Sequence, residues 1–183
     1  MRTVSFSNDK VRDLLNGEFV NTFSNTTGDP TAGKSIWHDP SDSPGMCIRG
    51  NGKQNVQTLF LTPQGKIFHA ATGYLSADDL VDEIEFAQNL FSEIKGTPGS
   101  AKNLVRDAHQ DRLKELGNGK EIVPAGIIGE AFHGLVAGQL QSDQKFCADN
   151  PLMSYREFEK DPGKLVGHGK SSFVSTSSNN TGK

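Results

Sequence analysis

The stretch from residue 55 to 94 constrains the fold most, because it reads as strand, turn, strand and helix without a break. Val56, Thr58 and Phe60 alternate with Gln57, Leu59 and Leu61. The run is rich in β-branched and aromatic residues and apolar on both faces, as a buried strand requires. Thr62-Pro63-Gln64-Gly65 supplies turn chemistry, since proline presets φ and glycine accepts positive φ. Lys66 to Thr72 is the partner strand, with Ile67, His69 and Ala71 on one face and Phe68 and Ala70 on the other. So short a turn makes the pair an antiparallel hairpin. Ser76-Ala77-Asp78-Asp79 is a capping box with Asp in place of Glu. It opens a helix whose apolar stripe is Leu80, Ile84, Ala87, Phe91 and Ile94, ended by Gly96 and Pro98. Asp82, Glu83 and Glu85 are assigned off the stripe, and such an acidic run reads as a solvated face. A lone hairpin does not stand in water, so the helix is expected to cover a larger sheet.

Upstream, Ser7 or Asn8 caps a first helix with Val11, Leu14 and Leu15 on its buried side. A strand is expected over Phe19 to Phe23. From Ser24 to Gln54 there is little periodicity, and Pro30, Pro40 and Pro44 punctuate a long loop. Loops of that length are usually functional or mobile. Downstream, Ser100 to Leu116 reads as a helix, Pro124 starts another, and Ser154 to Glu157 forms a second capping box.

At 183 residues the chain fits one domain with an appendage. A net charge of −3 gives no footprint for nucleic acid or an anionic membrane. No apolar run approaches a membrane span, and no signal peptide is visible, so the default location is the cytoplasm. Two cysteines, Cys47 and Cys147, do not make a disulfide framework.

Residues Gly28 to Ser35 match the phosphate-binding loop G-x-x-x-x-G-K-[ST] through Gly28, Gly33, Lys34 and Ser35. In that motif backbone amides wrap the phosphates at a helix N-terminus. Here Asp39-Pro40 and Pro44 follow too soon for the helix, so a chance match in a Pro/Gly-rich loop is the better account. Cys47 is a single-thiol candidate with Arg49 nearby, set against the blander reading of an inert thiol. Cys147 gets the inert reading. The five histidines are scattered, and no pair has the spacing of a local metal site, so no metal ligand is assigned.

The residues also resemble a family. Ile48-Arg49-Gly50, Asn55 to Leu61, Gly65-Lys66-Ile67 and Gly73-Tyr74-Leu75-Ser76 are similar to the C-terminal half of thioredoxin. Thr3 to Val20 looks like the stretch after the active site in thioredoxin-like proteins. The resemblance implies an α/β thioredoxin-like fold, a mixed sheet with an antiparallel hairpin, plus a C-terminal helical extension. Residues 1–95 would be the domain, without its first strand and active-site helix, 96–170 the extension, and 171–183 a disordered tail. The family's C-x-x-C would fall ahead of Met1, and none occurs in the chain. Gln57 stands where the family has a cis-proline, so the Val56–Gln57 bond is expected to be trans.

Dithiol exchange needs an attacking and a resolving thiol. The implied role is therefore a redox-inactive binding or scaffolding module. A peptide would add to an exposed strand edge through Asn55, Val56 and Gln57. Cover of the edge by the protein's own helices would count against this. The alternatives are a single-cysteine thiol–disulfide oxidoreductase using Cys47 and nucleotide binding at Lys34. No cofactor, nucleic acid or membrane partner is expected, and a homodimer is left open.

Overall fold

The computed structural model describes residues 5–24, 56–72, 75–117 and 130–160, the side chains of 130–139 excepted. Helix α1 spans Asp9–Glu18, and the Asn8 side chain accepts from the Lys10 and Val11 amides at its start. The strand expected over Phe19 to Phe23 is not formed. The Asn21 side chain instead donates to Leu15 O and to Asn16, folding the chain back onto the helix end. Phe19 packs edge-to-face on Phe60, with ring centroids 5.5 Å apart, while Val20 and Phe23 stand in solvent. A strand-like composition without a strand to pair with does not make a strand.

The hairpin forms as expected, with β1 at Gln57–Leu61 and β2 at Lys66–Thr72. Gly65 closes its turn at φ +67°, a conformation that suits glycine. A third strand, β3 at Met153–Ser154, pairs antiparallel with Lys66 and Ile67, so the order is β1-β2-β3 with β2 central. Both pairings are antiparallel, so the mixed sheet that the resemblance implies is not found among the described residues. Every described peptide bond is trans, Val56–Gln57 included.

One irregularity in the hairpin decides which way the β2 side chains face. Phe60 pairs with His69 and Leu61 with Ile67, which leaves Phe68 as an extra residue in β2. A bulge of this kind breaks the alternation of side chains. Phe68 and Ala71 accordingly pack with Phe60, Leu80 and Ile84, and His69 lies edge-on to Phe86 of the same helix. Ile67 and Ala70 face the other way, against Phe146, Cys147 and Phe158. This corrects the faces expected from strict alternation, which grouped His69 with Ile67.

Helix α2 spans Ala77–Gly96 behind the capping box at Ser76, in which Ser76 and Asp79 each accept from the other's amide. One 3-10 turn at Pro98–Ser100 leads into α3, Ala101–Gly117. Then come α4, Glu130–Asp149, and the short α5, Tyr155–Phe158, capped by Ser154 and Glu157. Ala101, Val105 and Leu140 belong to the same apolar cluster as Phe60, Phe68 and Leu80. The helices after residue 95 therefore pack on the hairpin itself, joining the core on one face and building the cluster around Ile67 and Ala70 on the other. The described residues make an α/β arrangement of helices around a small antiparallel sheet. None of the described helices is long and apolar enough to cross a membrane.

Candidate functional site

β2 is buried from Ile67 to Thr72, so its two polar side chains, His69 and Thr72, must find partners inside the protein. β3 covers only Lys66 and Ile67 of its far edge. Beyond that point α4 takes over. Asp143 accepts the Thr72 amide and the Thr72 hydroxyl, each at 2.8 Å. One turn later the backbone of Ala70 hydrogen-bonds the Cys147 thiol. Residues four apart share a helix face, so one side of α4 stands in for the missing strand.

This geometry sets the direction of β1's own amides. Thr72 gives its N–H to Asp143, so Thr72 and Gln57 are not a hydrogen-bonded pair. Antiparallel pairs alternate, so Thr58 bonds inward while the Gln57 and Leu59 backbone groups point away from β2. No strand pairs with that outer edge among the described residues. The sheet thus has two edges: β2's is closed by the protein's own helix, and β1's meets no strand among the described residues.

Beneath the bulge lies a buried polar cluster. Glu83, expected on a solvated face, is 1% exposed. The spacing Leu80, Glu83, Ala87, Leu90, Ile94 alternates three and four and forms the inner stripe of α2, a signal present in the sequence but masked by the neighbouring acids. The Glu83 carboxylate meets the Arg112 guanidinium, accepts from Gln144 Nε2 at 3.2 Å, and lies 2.9 Å from His69 Nε2. Arg112 covers the Phe86 ring, 4.6 Å from its centroid, a cation–π contact. Burial pushes the Glu83 carboxyl up, but His69 and then Arg112 outweigh it and hold the group at about 2. It is an ionised carboxylate in the core, which only paired charge makes tolerable.

His69 is less well served. Glu83 is at ion-pair distance but off the ring's N–H direction, and neither ring nitrogen makes a directed hydrogen bond. His109, stacked on His69 with centroids 5.4 Å apart, is tied on both sides. Its Nε2 is 2.9 Å from the carbonyl of Phe68, the bulged residue, and its Nδ1 faces Gln144 Oε1. Burial first, and then electrostatic repulsion from the neighbouring His69 ring, lower its pKa to about 4. A neutral imidazole has one N–H and here meets two acceptors. Turning the Gln144 amide only moves the mismatch to Glu83, so with His109 neutral the run from Phe68 O to Glu83 is one proton short.

Cys147 closes the cluster. The donor atoms of His69, His109 and Cys147 all lie within 4.8 Å of one another, and all three residues are buried. The Cys147 thiol is free, and burial pushes its pKa well up, so it is no nucleophile at neutral pH. Sequence spacing assigned no metal ligand, since these residues come from β2, α3 and α4 and meet only through the topology. Arg112, Asp143 and Gln144 were likewise not singled out by the sequence. Of the residues that were, Val56 and Gln57 are half-buried at the start of β1. Asn55, Cys47, Gly28, Gly33, Lys34 and Ser35 lie outside the described residues. Comparison with family models, with curated proteins and with solved structures finds no match to this chain.

Proposed function

We propose that the chain is a thioredoxin-like binding module that does not carry out dithiol exchange and that takes an extended peptide along the outer edge of β1. The observation that carries this reading is the asymmetry of the sheet. β2's edge is filled by Asp143, Cys147 and β3, while the outward backbone groups of Gln57 and Leu59 meet no strand among the described residues. Main-chain hydrogen bonding gives affinity in such a mode, and alternate side chains give selectivity. Gln57 and Leu59, both half-buried, would frame the peptide's contact pockets. The redox half of the proposal is supported by the cysteines: there are two, a hundred positions apart, and Cys147 is sealed in the core with its thiol held protonated.

The test is selection of random peptides displayed on phage against the full chain, followed by Gln57→Pro. Proline is tolerated at the first residue of a strand and removes one outward N–H. Losing one such hydrogen bond costs about 1 kcal/mol, so selected peptides should bind about fivefold more weakly to the variant. Peptides held equally well by Gln57→Pro would mean that the β1 edge is not the dock.

A further inference from the structure

We infer that His69, His109 and Cys147 form a buried site for one Zn2+ ion. Two independent observations converge on it. The three donor atoms lie within 4.8 Å of one another, brought together from β2, α3 and α4. Separately, His69 is fully buried and neither of its ring nitrogens has a directed hydrogen bond, a costly state for a polar group in a core.

The donor set fits a borderline-soft, d10 cation. Imidazole and thiolate are the ligands zinc takes, at about 2.0–2.1 Å to nitrogen and about 2.3 Å to sulfur. Tetrahedral ligands at those lengths stand about 3.5 Å apart, so the cluster has to close by roughly 1 Å on the ion. His69, whose ring nitrogens hold no directed hydrogen bond, is the member that would make this adjustment. Its partner is already within reach. With Nδ1 on the metal, a turn of the ring would bring Nε2–H into line with Glu83, 2.9 Å away, and complete the carboxylate–histidine–metal arrangement that orients ligating imidazoles. His109 is fixed in the same sense. Its Nε2–H is spent on the Phe68 carbonyl, which leaves Nδ1 as the lone-pair nitrogen. Gln144 Oε1, beside that Nδ1, is an oxygen donor for the fourth position. Cys147 binds as the thiolate, so its Sγ proton leaves to solvent as the Zn–S bond forms.

The test is titration of the full-length, metal-free chain with Co2+ as a spectroscopic stand-in, then displacement by Zn2+. A thiolate-to-cobalt charge-transfer band saturating at one ion per chain is expected, retained in Cys47→Ala and lost in Cys147→Ala. Glu83→Gln should keep the band and bind about 10–100-fold more weakly, as loss of an orienting carboxylate does. His69→Gln should abolish tight Zn2+ binding in a chelator competition. No band in the wild-type chain, or a band that survives Cys147→Ala and vanishes in Cys47→Ala, overturns the inference.

Discussion

Glu83 shows how little a residue's type says about its place. Two of its near neighbours in sequence, Asp82 and Glu85, are exposed acids, yet its own carboxylate sits in the core with Arg112 and His69. Removing one member of a buried charged group leaves the others unpaired, which costs about 3–5 kcal/mol. Glu83→Ala should therefore destabilise the chain by about that much in urea unfolding, whereas Lys114→Ala, which breaks a fully exposed pair with Asp111, should be close to neutral. Similar losses for the two variants would show that Glu83 is not buried. Asp143 makes the opposite prediction with pH. Burial holds its pKa well above 3.8, against the pull of two hydrogen bonds from Thr72. A raised carboxyl contributes its stability fully below the unfolded value and loses it as pH rises through the folded one. Asp143→Asn removes the titration and keeps both contacts, because the Thr72 hydroxyl can turn from donor to acceptor. The variant should match wild type near pH 4 and gain on it steadily as pH rises above that. A stability difference that does not change with pH would contradict this.

The elements were legible where local chemistry decides them. The hairpin, its turn, the α2 capping box, the Asn8 cap and the Ser154–Glu157 box can each be read from a few neighbouring residues, and each is found. Legibility ended where a distant segment decides. Phe19 to Phe23 has the composition of a strand but no partner strand among the described residues, and the bulge at Phe68 is invisible in a pattern that assumes strict alternation. That bulge matters most for the site, since it turns His69 toward α2 and gives the Phe68 carbonyl to His109. Glu83 was the exception, a residue whose spacing did carry the signal. Turn chemistry allows a prediction at this scale. Gly65 sits at φ +67° with open space around it, so a methyl group there meets backbone strain and no clash. Gly65→Ala should cost about 1–2 kcal/mol, read from thermal or urea unfolding. No loss would show that the turn does not hold positive φ.

At the scale of the whole molecule the helices are not laid on one side of a finished sheet. α2 packs on one face of β2, α3 reaches its bulge with His109, and α4 runs along its open edge with Asp143 and Cys147. The resemblance to thioredoxin draws on residues 3 to 94, but the polar cluster needs Arg112, Gln144 and Cys147 from beyond that range. Completing β2 in this way leaves β1 as the strand whose outer edge meets no other strand among the described residues, and the proposed peptide dock rests on that division. Site-resolved amide hydrogen exchange on the isolated chain tests it directly. The Ala70 and Thr72 amides, bound to α4, should exchange only through global unfolding, as should Thr58. The Gln57 and Leu59 amides should exchange at nearly unprotected rates. Gln57 and Leu59 as slow as Thr58 would mean that the chain already covers its own β1 edge, which contradicts the open dock.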